Sequence, residues 1–212
     1  MCRINRLGNL PGGAMGRTSD ARERLIAAAM GLMHESGYTA VGVSEICQRA
    51  GVKRGSFFHF LPSTRDLTLE VIEAQWNEIE SEVVKQAFDP SRPPIDRIAS
   101  LFTKMSEYPR SREQSTGRWL GCPFGILGAE LSGQDEDIRR KIVDVFARLS
   151  GYLEGALAEI KSDPQYRQLD VQASSRALMA YFEGAMLMAK VSHRGTMFDE
   201  LAGASLPLVF AA

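Results

Sequence analysis

The chain has 212 residues, of which 44% are hydrophobic and 24% charged, with a formal net charge of −1. That length suits one compact domain or a small domain joined to a larger one, and the composition excludes a disordered or collagen-like chain. No uninterrupted apolar run reaches the ~18 residues of a membrane span, and three scattered cysteines, Cys2, Cys47 and Cys122, exclude a disulfide framework and point to a reducing compartment, the cytoplasm.

The charge is unevenly distributed. Residues 1–66 carry nine Lys/Arg against five Asp/Glu, a net of +4, so the remainder carries −5. A basic head on an acidic body suits one end facing phosphate. The first stretch, 1–16, is rich in Gly, Pro and Asn and reads as a disordered arm. It lacks the sustained apolar region of a secretory signal, and Met15 is an alternative start to Met1. Its Arg3 and Arg6 are candidates for minor-groove contact.

Leu25, Ala28, Ala29 and Leu32 form the first helical stripe. Val43, Ile46 and Cys47 then share one face of a short helix. Gly51 can take the φ > 0 conformation of a sharp turn. A second short helix over 53–60 has a basic start and an aromatic interior. Two short helices around such a turn are the layout of a DNA-binding helix-turn-helix, with the second helix in the major groove.

The next stripe is Leu67, Ile72, Trp76, Ile79 and Val83, ended by Asp89-Pro90. Pro93-Pro94 opens a helix running to Tyr108, with Pro at the favoured first position. Residues 110–117 are polar and read as a loop; 119–131 are short, apolar and interrupted by Gly. A long helix starts at the acids Asp135-Glu136-Asp137, which suit a helix N-terminus, and stops at Ser162-Asp163-Pro164. A second runs over 170–193, with Gly195 as its stop. A weak helix over 197–210 closes the chain. No segment alternates as a strand does. The expected fold is therefore all-α: a three-helix helix-turn-helix head over 17–64 and a larger helical body over 65–212.

The head also carries a family likeness. Gly37-Tyr38, Ile46-Cys47, and the run from Ala50-Gly51-Val52 through Lys53-Arg54-Gly55-Ser56 to Phe57-Phe58-His59-Phe60-Leu61, ending at Leu67, closely resemble the DNA-binding domain of the TetR family of bacterial regulators. The likeness covers about a quarter of the chain, and spacing, turn glycine and aromatic cluster agree together. Three positions depart from the family pattern. Phe58 stands where a Tyr hydroxyl usually touches the DNA backbone, Thr64 where a phosphate-binding Lys is usual, and Gly42 where Ser or Thr usually caps the helix. Fewer phosphate contacts flatten the salt dependence of binding.

The resemblance implies roles. Lys53 and Arg54 are placed for phosphate or guanine edges, Gly55 for close backbone approach, and Ser56 for a base or phosphate. His59 can donate to phosphate, Phe58 can contact a thymine methyl, and Ser44 and Thr64 occupy DNA-contact positions of some members. The alternative for Lys53 and Arg54 is a solvated helix start. The two long C-terminal helices correspond to the family's four-helix dimer interface. Gly151, Gly155, Ala156 and Ala158 on the first, and Ala177, Ala180, Gly184 and Ala185 on the second, permit close approach, and a homodimer suits a palindromic operator.

The segment from Trp119 to Ser132 is similar to a Gly-Cys-x-x-Gly-Asn-x-x-x-Glu motif in the ligand-binding domain of a subset of the family, with Ile126 in place of the Asn. Cys122 is either a sensor thiol, its pKa lowered by a helix N-terminus or Arg118, or a small buried apolar side chain. Candidate ligand contacts are Trp76, Met105, Trp119, Cys122, Phe124, Tyr152, Tyr181, Phe182 and Met186, whose character suits an apolar small-molecule site or plain core. Glu130, Asp135, Glu136 and Asp137 read together as a solvated helix start.

Enzyme readings find no support. There is no GxxxxGKS loop and no GxSxG elbow. His34, His59 and His193 have no partners at metal-ligand spacing, so no metal or cofactor is expected. The sequence thus reads as a DNA-binding regulator, a repressor released from its operator by a small molecule. The alternatives are a repressor that senses electrophiles through Cys122, and a helical partner-binding protein whose DNA head has decayed.

Overall fold

A computed structural model describes residues 15–108 and 117–210. The expected arm over 1–16 lies outside these residues except for its last two positions, and the expected loop over 110–117 lies outside except for Gly117. Every regular element among the described residues is helical, without strands. Helix α1 spans Met15–Ser36, α2 Val43–Ala50 and α4 Thr64–Ile79. Between α2 and α4, a 3-10 turn over Arg54–Ser56 leads into the single α-turn Phe57–Phe60, together called α3.

Local chemistry sets these boundaries. Gly51 takes φ 63° after α2, and the N–H groups of Gly51 and Val52 return to the carbonyls of Gln48 and Cys47. This pair closes the helix with the left-handed cap that glycine allows. Ser63 opens α4: its Oγ accepts the Asp66 N–H and donates to the Asp66 carboxylate. Gly42 precedes α2 without any side-chain cap.

The sequence pattern predicts α4 as one α-helix to Asp89. Instead it continues through a π-helical segment, Glu80–Val84, and a last turn, Lys85–Ala87. The π segment delivers two consecutive valines, Val83 and Val84, to the core, where both are buried. Helix α5 then spans Pro94–Glu107, α6 Pro123–Leu131, α7 Glu136–Lys161 and α8 Val171–Ser192. Asp135 caps α7 by accepting the N–H groups of Asp137 and Ile138, and Asp170 caps α8 through Ala173. Helix α8 stops at His193, two residues before the expected Gly195. His193 adopts φ 51° and closes the helix as a glycine would, with Arg194 N–H returning to Ala189 O; His enters this region more readily than bulky or β-branched residues. The expected terminal helix is two short ones, α9 (Thr196–Ala202) and α10 (Ser205–Phe210), interrupted at Gly203.

Two apolar cores meet along α4. The head core packs Leu25, Leu32, Ile46, Phe57 and Leu61 against Leu67 and Val71 at the start of α4. The body core begins one residue later, at Ile72, and gathers Trp76, Phe102, Trp119, Leu153 and Phe182 among others. Polar links tie α4 to its neighbours: Arg22 to Glu70 from α1, Arg65 to Asp135 and Asp137, and Glu73 to Lys141 and Arg148 on α7. Each is half-exposed and individually weak; together they hold α4 in register with both units.

Candidate nucleic-acid interface and effector groove

Helix α3 presents its polar side outward. Lys53, Arg54, Gly55, Phe58 and His59 are exposed, and Ser56 is half-buried. Phe57 alternates with them, wholly buried in the head core, while its neighbour Phe58 is 62% exposed. Ser44 is exposed in the first turn of α2, and Thr64 is half-buried as the first residue of α4. Cys47 lies in the head core, and burial raises its thiol pKa.

A groove of about 690 Å³ opens between the C-terminal end of α1, helix α6 and one face of α8. Its volume falls within the usual range for small-molecule sites. The walls are mostly small or apolar, including Gly121, Ile126, Ala129 and Leu187, with Cys122, Glu130, Glu183 and Lys190 as the titratable groups. Glycine is favoured at several points of the wall. A Cβ on Gly121 would meet the Lys190 stem at 3.2–3.3 Å, and Gly121 has φ +78°; a Cβ on Gly125 would lie 2.5 Å from a Glu183 carboxylate oxygen.

Cys122 and Glu183 stand between this groove and an enclosed void of about 20 Å³ in the body core. The two side chains lie close enough to affect each other's titration, and Cys122 Sγ accepts the Gly125 N–H at 3.4 Å, capping α6. Burial, reinforced by Glu183, pushes the Cys122 thiol well above its ordinary range. Burial likewise raises the Glu183 carboxyl, and its Oε1 is buried without a hydrogen-bond partner. Burial lowers Lys190, and the Arg118 charge adds to that.

The raised Glu183 pKa has a definite pH consequence. The folded state holds its proton more tightly than the unfolded state, so the stability associated with the neutral acid is complete below the ordinary carboxylate range. It is lost as pH rises from there through the raised folded value. Glu183→Gln should therefore gain stability relative to the native chain as pH rises through that window and show little difference below it. Paired thermal melts across pH test this; parallel curves at all pH values would exclude it.

The ligand candidates from the sequence divide among three places. Cys122 and Met186 line the groove. Trp76, Met105, Phe124 and Phe182 line the small void together with Cys122, and Phe124 also lines a second void of about 10 Å³ against α1. Trp119, Tyr152 and Tyr181 line neither: Trp119 stacks on Phe198 at 5.8 Å between ring centroids, Tyr152 donates to Glu80, and Tyr181 donates to Leu201 O. Glu130 is corrected outright. It belongs to the last turn of α6 rather than a solvated helix start, and its carboxylate accepts the N–H groups of Tyr38 at 2.8 Å and Thr39 at 2.7 Å. Glu183 and Lys190 escaped the sequence reading because isolated charges on a long helix look like its solvated face.

Residues 25–71 match the family model described as bacterial regulatory proteins, tetR family, and residues 94–204 match that of the transcriptional regulator LmrA/YxaF-like C-terminal domain. The chain belongs to the TetR family. Among its relatives is transcriptional regulator AcuR of Cereibacter sphaeroides, 34% identical over 181 residues, 82% of this chain and 78% of that protein. HTH-type transcriptional repressor DhaR of a Mycobacterium species is 24% identical over 93% of this chain and 94% of its own length. The crystal structure of a regulatory protein TetR from Rhodobacter sphaeroides superposes with a TM-score of 0.74 at 30% identity, covering 87% of this chain and 96% of that one. This TetR-family chain is thus a DNA-binding transcriptional regulator with an N-terminal helix-turn-helix head and a larger helical body. Among the described residues, no helix is long and apolar enough to cross a membrane.

Proposed function

We propose that the protein is a homodimeric repressor in the cytoplasm that leaves a palindromic operator when a small, mainly apolar molecule enters the groove between α1, α6 and α8. The observation that carries this reading is the groove itself, which touches the head at Ser36 and Gly37 and the body at α6 and α8. A ligand there acts through its differential affinity for two head positions. The relative DhaR bears the description of a repressor, which supports the sign. In this reading 17–64 reads DNA and 65–212 binds effector and partner subunit.

One face of α8 supports dimerisation. Ala177, Ala180, Met188 and Val191 are exposed at helical spacing, beside the groove residues Gly184 and Leu187. Gly151 and Gly155 on α7 are also exposed and open, whereas Ala156 and Ala185 are buried in the core.

The DNA contacts proposed are Ser44, Lys53, Arg54, Gly55, Ser56, Phe58, His59 and Thr64. Phe58 and Thr64 offer a gain-of-contact check. Phe58→Tyr adds a hydroxyl at an exposed ring and should raise operator affinity by about 2- to 10-fold, the value of one net hydrogen bond. Thr64→Lys adds a cation and should steepen the salt dependence by about one unit. Unchanged affinity and slope in both would remove these positions from the interface.

Burial and the neighbouring carboxyl raise the Cys122 thiol, whereas a reactive thiol needs a lowered pKa. This favours reversible binding over thiol chemistry. Cys122→Ser keeps a cap for α6, since a serine oxygen is a good N-cap, and should leave both folding and effector response intact. The deciding experiment selects duplexes from a random library, titrates the winners against scrambled DNA at several salt concentrations, and screens small molecules for release. Enrichment of a palindrome with release by a compound, equally in native and Cys122→Ser protein, is expected. Release lost in Cys122→Ser would restore the sensor, and no sequence preference would refute the repressor.

A further inference from the structure

The end of α1 makes an unusual junction with the body. Gly37 takes φ +85° after α1, turning the chain so that the Tyr38 and Thr39 N–H groups project away from the helix. Among the described residues, no backbone carbonyl accepts either of them. Both are accepted by the two oxygens of Glu130, 92 and 91 residues further along the chain. Gly37 serves this contact twice. Its positive φ aims the amides, and a Cβ there would lie 3.1 Å from Glu130 Oε2. A second tie, His34 Nε2 to Gly121 O at 2.8 Å, joins α1 to the residues preceding α6.

Glu130 occupies a position where a negative charge gains nothing from its own helix. It lies in the last turn of α6, at the negative end of the helix dipole. Burial acts to raise its pKa, but the hydrogen bonds from Thr39 and Tyr38 outweigh this and hold the carboxyl below its ordinary range. The carboxylate is therefore committed to the head, through charge-assisted bonds that fix direction as well as distance. The same side chain lines the effector groove, next to Ala129, Gly121 and Gly37.

We infer that Glu130 is a positioning residue, the latch that sets the orientation of the DNA head, and that a molecule filling the groove acts by displacing it. The inference rests on the groove being the effector site. The groove contacts both sides of the junction, so an occupant there competes for the space that the carboxylate and Gly37 share. With the latch open, two amides turn to water and the head keeps its packing along α4, the Tyr38 side chain against the body core and the His34 contact. The head itself stays folded, because its core of Leu25, Ile46, Phe57 and Leu61 does not include Glu130. A freed head samples orientations unsuited to one half-site spacing, and affinity falls by the fraction of time lost to them.

The test uses full-length protein and operator duplexes selected by the native chain, with the spacer between half-sites varied by one and two base pairs. Glu130→Ala should lower affinity for the preferred spacing by roughly 5- to 100-fold, the span of typical coupling between sites, and narrow the preference over altered spacings. Glu130→Gln, which keeps one acceptor oxygen, should fall between. Hydrogen exchange of the Tyr38 and Thr39 amides should accelerate in the same order, while that of Ile46 stays slow. A destabilised but correctly oriented head would lose affinity equally at every spacing, which would overturn the latch, as would unchanged exchange at Tyr38 and Thr39. A tethered occupant, Ala129→Trp, separates this inference from the reading beneath it. In the native background it should weaken binding as Glu130→Ala does, and in the Glu130→Ala background it should add nothing. If Ala129→Trp has no effect while Glu130→Ala relaxes spacing, the groove fails as the effector site and the displacement step with it, leaving Glu130 as a fixed strut.

Discussion

Replacing Lys53 and Arg54 together by Ala is expected to lower operator affinity by about two to three orders of magnitude without unfolding the protein. Both side chains are exposed at the leading end of α3, and neither contributes to the head core, so their removal leaves the fold intact. An Arg that grips a guanine edge is worth about 1–3 kcal/mol of discrimination, and each phosphate contact adds an electrostatic share. The two components are separable. If both residues meet phosphate, the salt dependence flattens by about two units and all sequences weaken alike. If Arg54 reads a base, the slope falls by only about one unit and selectivity at one position relaxes. Unchanged affinity would revive the partner-binding alternative, in which the head no longer reads DNA.

Phe57→Ala should destabilise the head by about 3–5 kcal/mol, the usual cost of truncating a buried phenylalanine. Phe57 is wholly buried among Leu25, Ile46, Leu61 and Leu67, and its ring meets Phe58 edge-on at 5.1 Å. A loss of that size is a large fraction of what a small unit has in reserve. The adjacent Phe58→Ala removes a ring that is 62% exposed and should change stability by less than about 0.5 kcal/mol. Denaturant titration followed by hydrogen exchange at Ile46 resolves the pair: Phe57→Ala opens the head at low denaturant while the body transition is retained, and Phe58→Ala melts like the native chain. Equal destabilisation by both would mean that α3 sits differently on the head.

Much of this architecture is legible in the residues. The helix-turn-helix is local: Gly51, the apolar spacing on α2 and the alternation of Phe57 with exposed neighbours all act within a few residues. The capping acids Asp135 and Asp170 announce the long helices for the same reason. The groove is not local. It requires α1, α6 and α8 to converge, and a sequence pattern that marks Trp119, Tyr152 and Tyr181 as large and apolar cannot say that they fill the core or bond to Glu80 and Leu201 instead. Glu130 shows the limit most plainly. Its partners are more than ninety residues away and are backbone amides, so no residue type in the sequence advertises them. His193 shows another limit, since a non-glycine residue took the left-handed cap that Gly195 was expected to supply.

The π-helical segment Glu80–Val84 has a consequence for how α4 tolerates changes in length. A π turn is an α-helix carrying one extra residue. Deleting a residue elsewhere in 64–87 would rotate everything downstream by about 100° about the helix axis, turning Val83, Val84 and Ala87 out of the core and exposing their polar neighbours to it. Deleting one residue from within 80–84 would instead return the helix to regular winding with the flanking faces still in phase. The segment is thus the stretch of α4 able to absorb a lost codon, and single-residue deletions among genes for this fold should accumulate there and be purged from the rest of the helix.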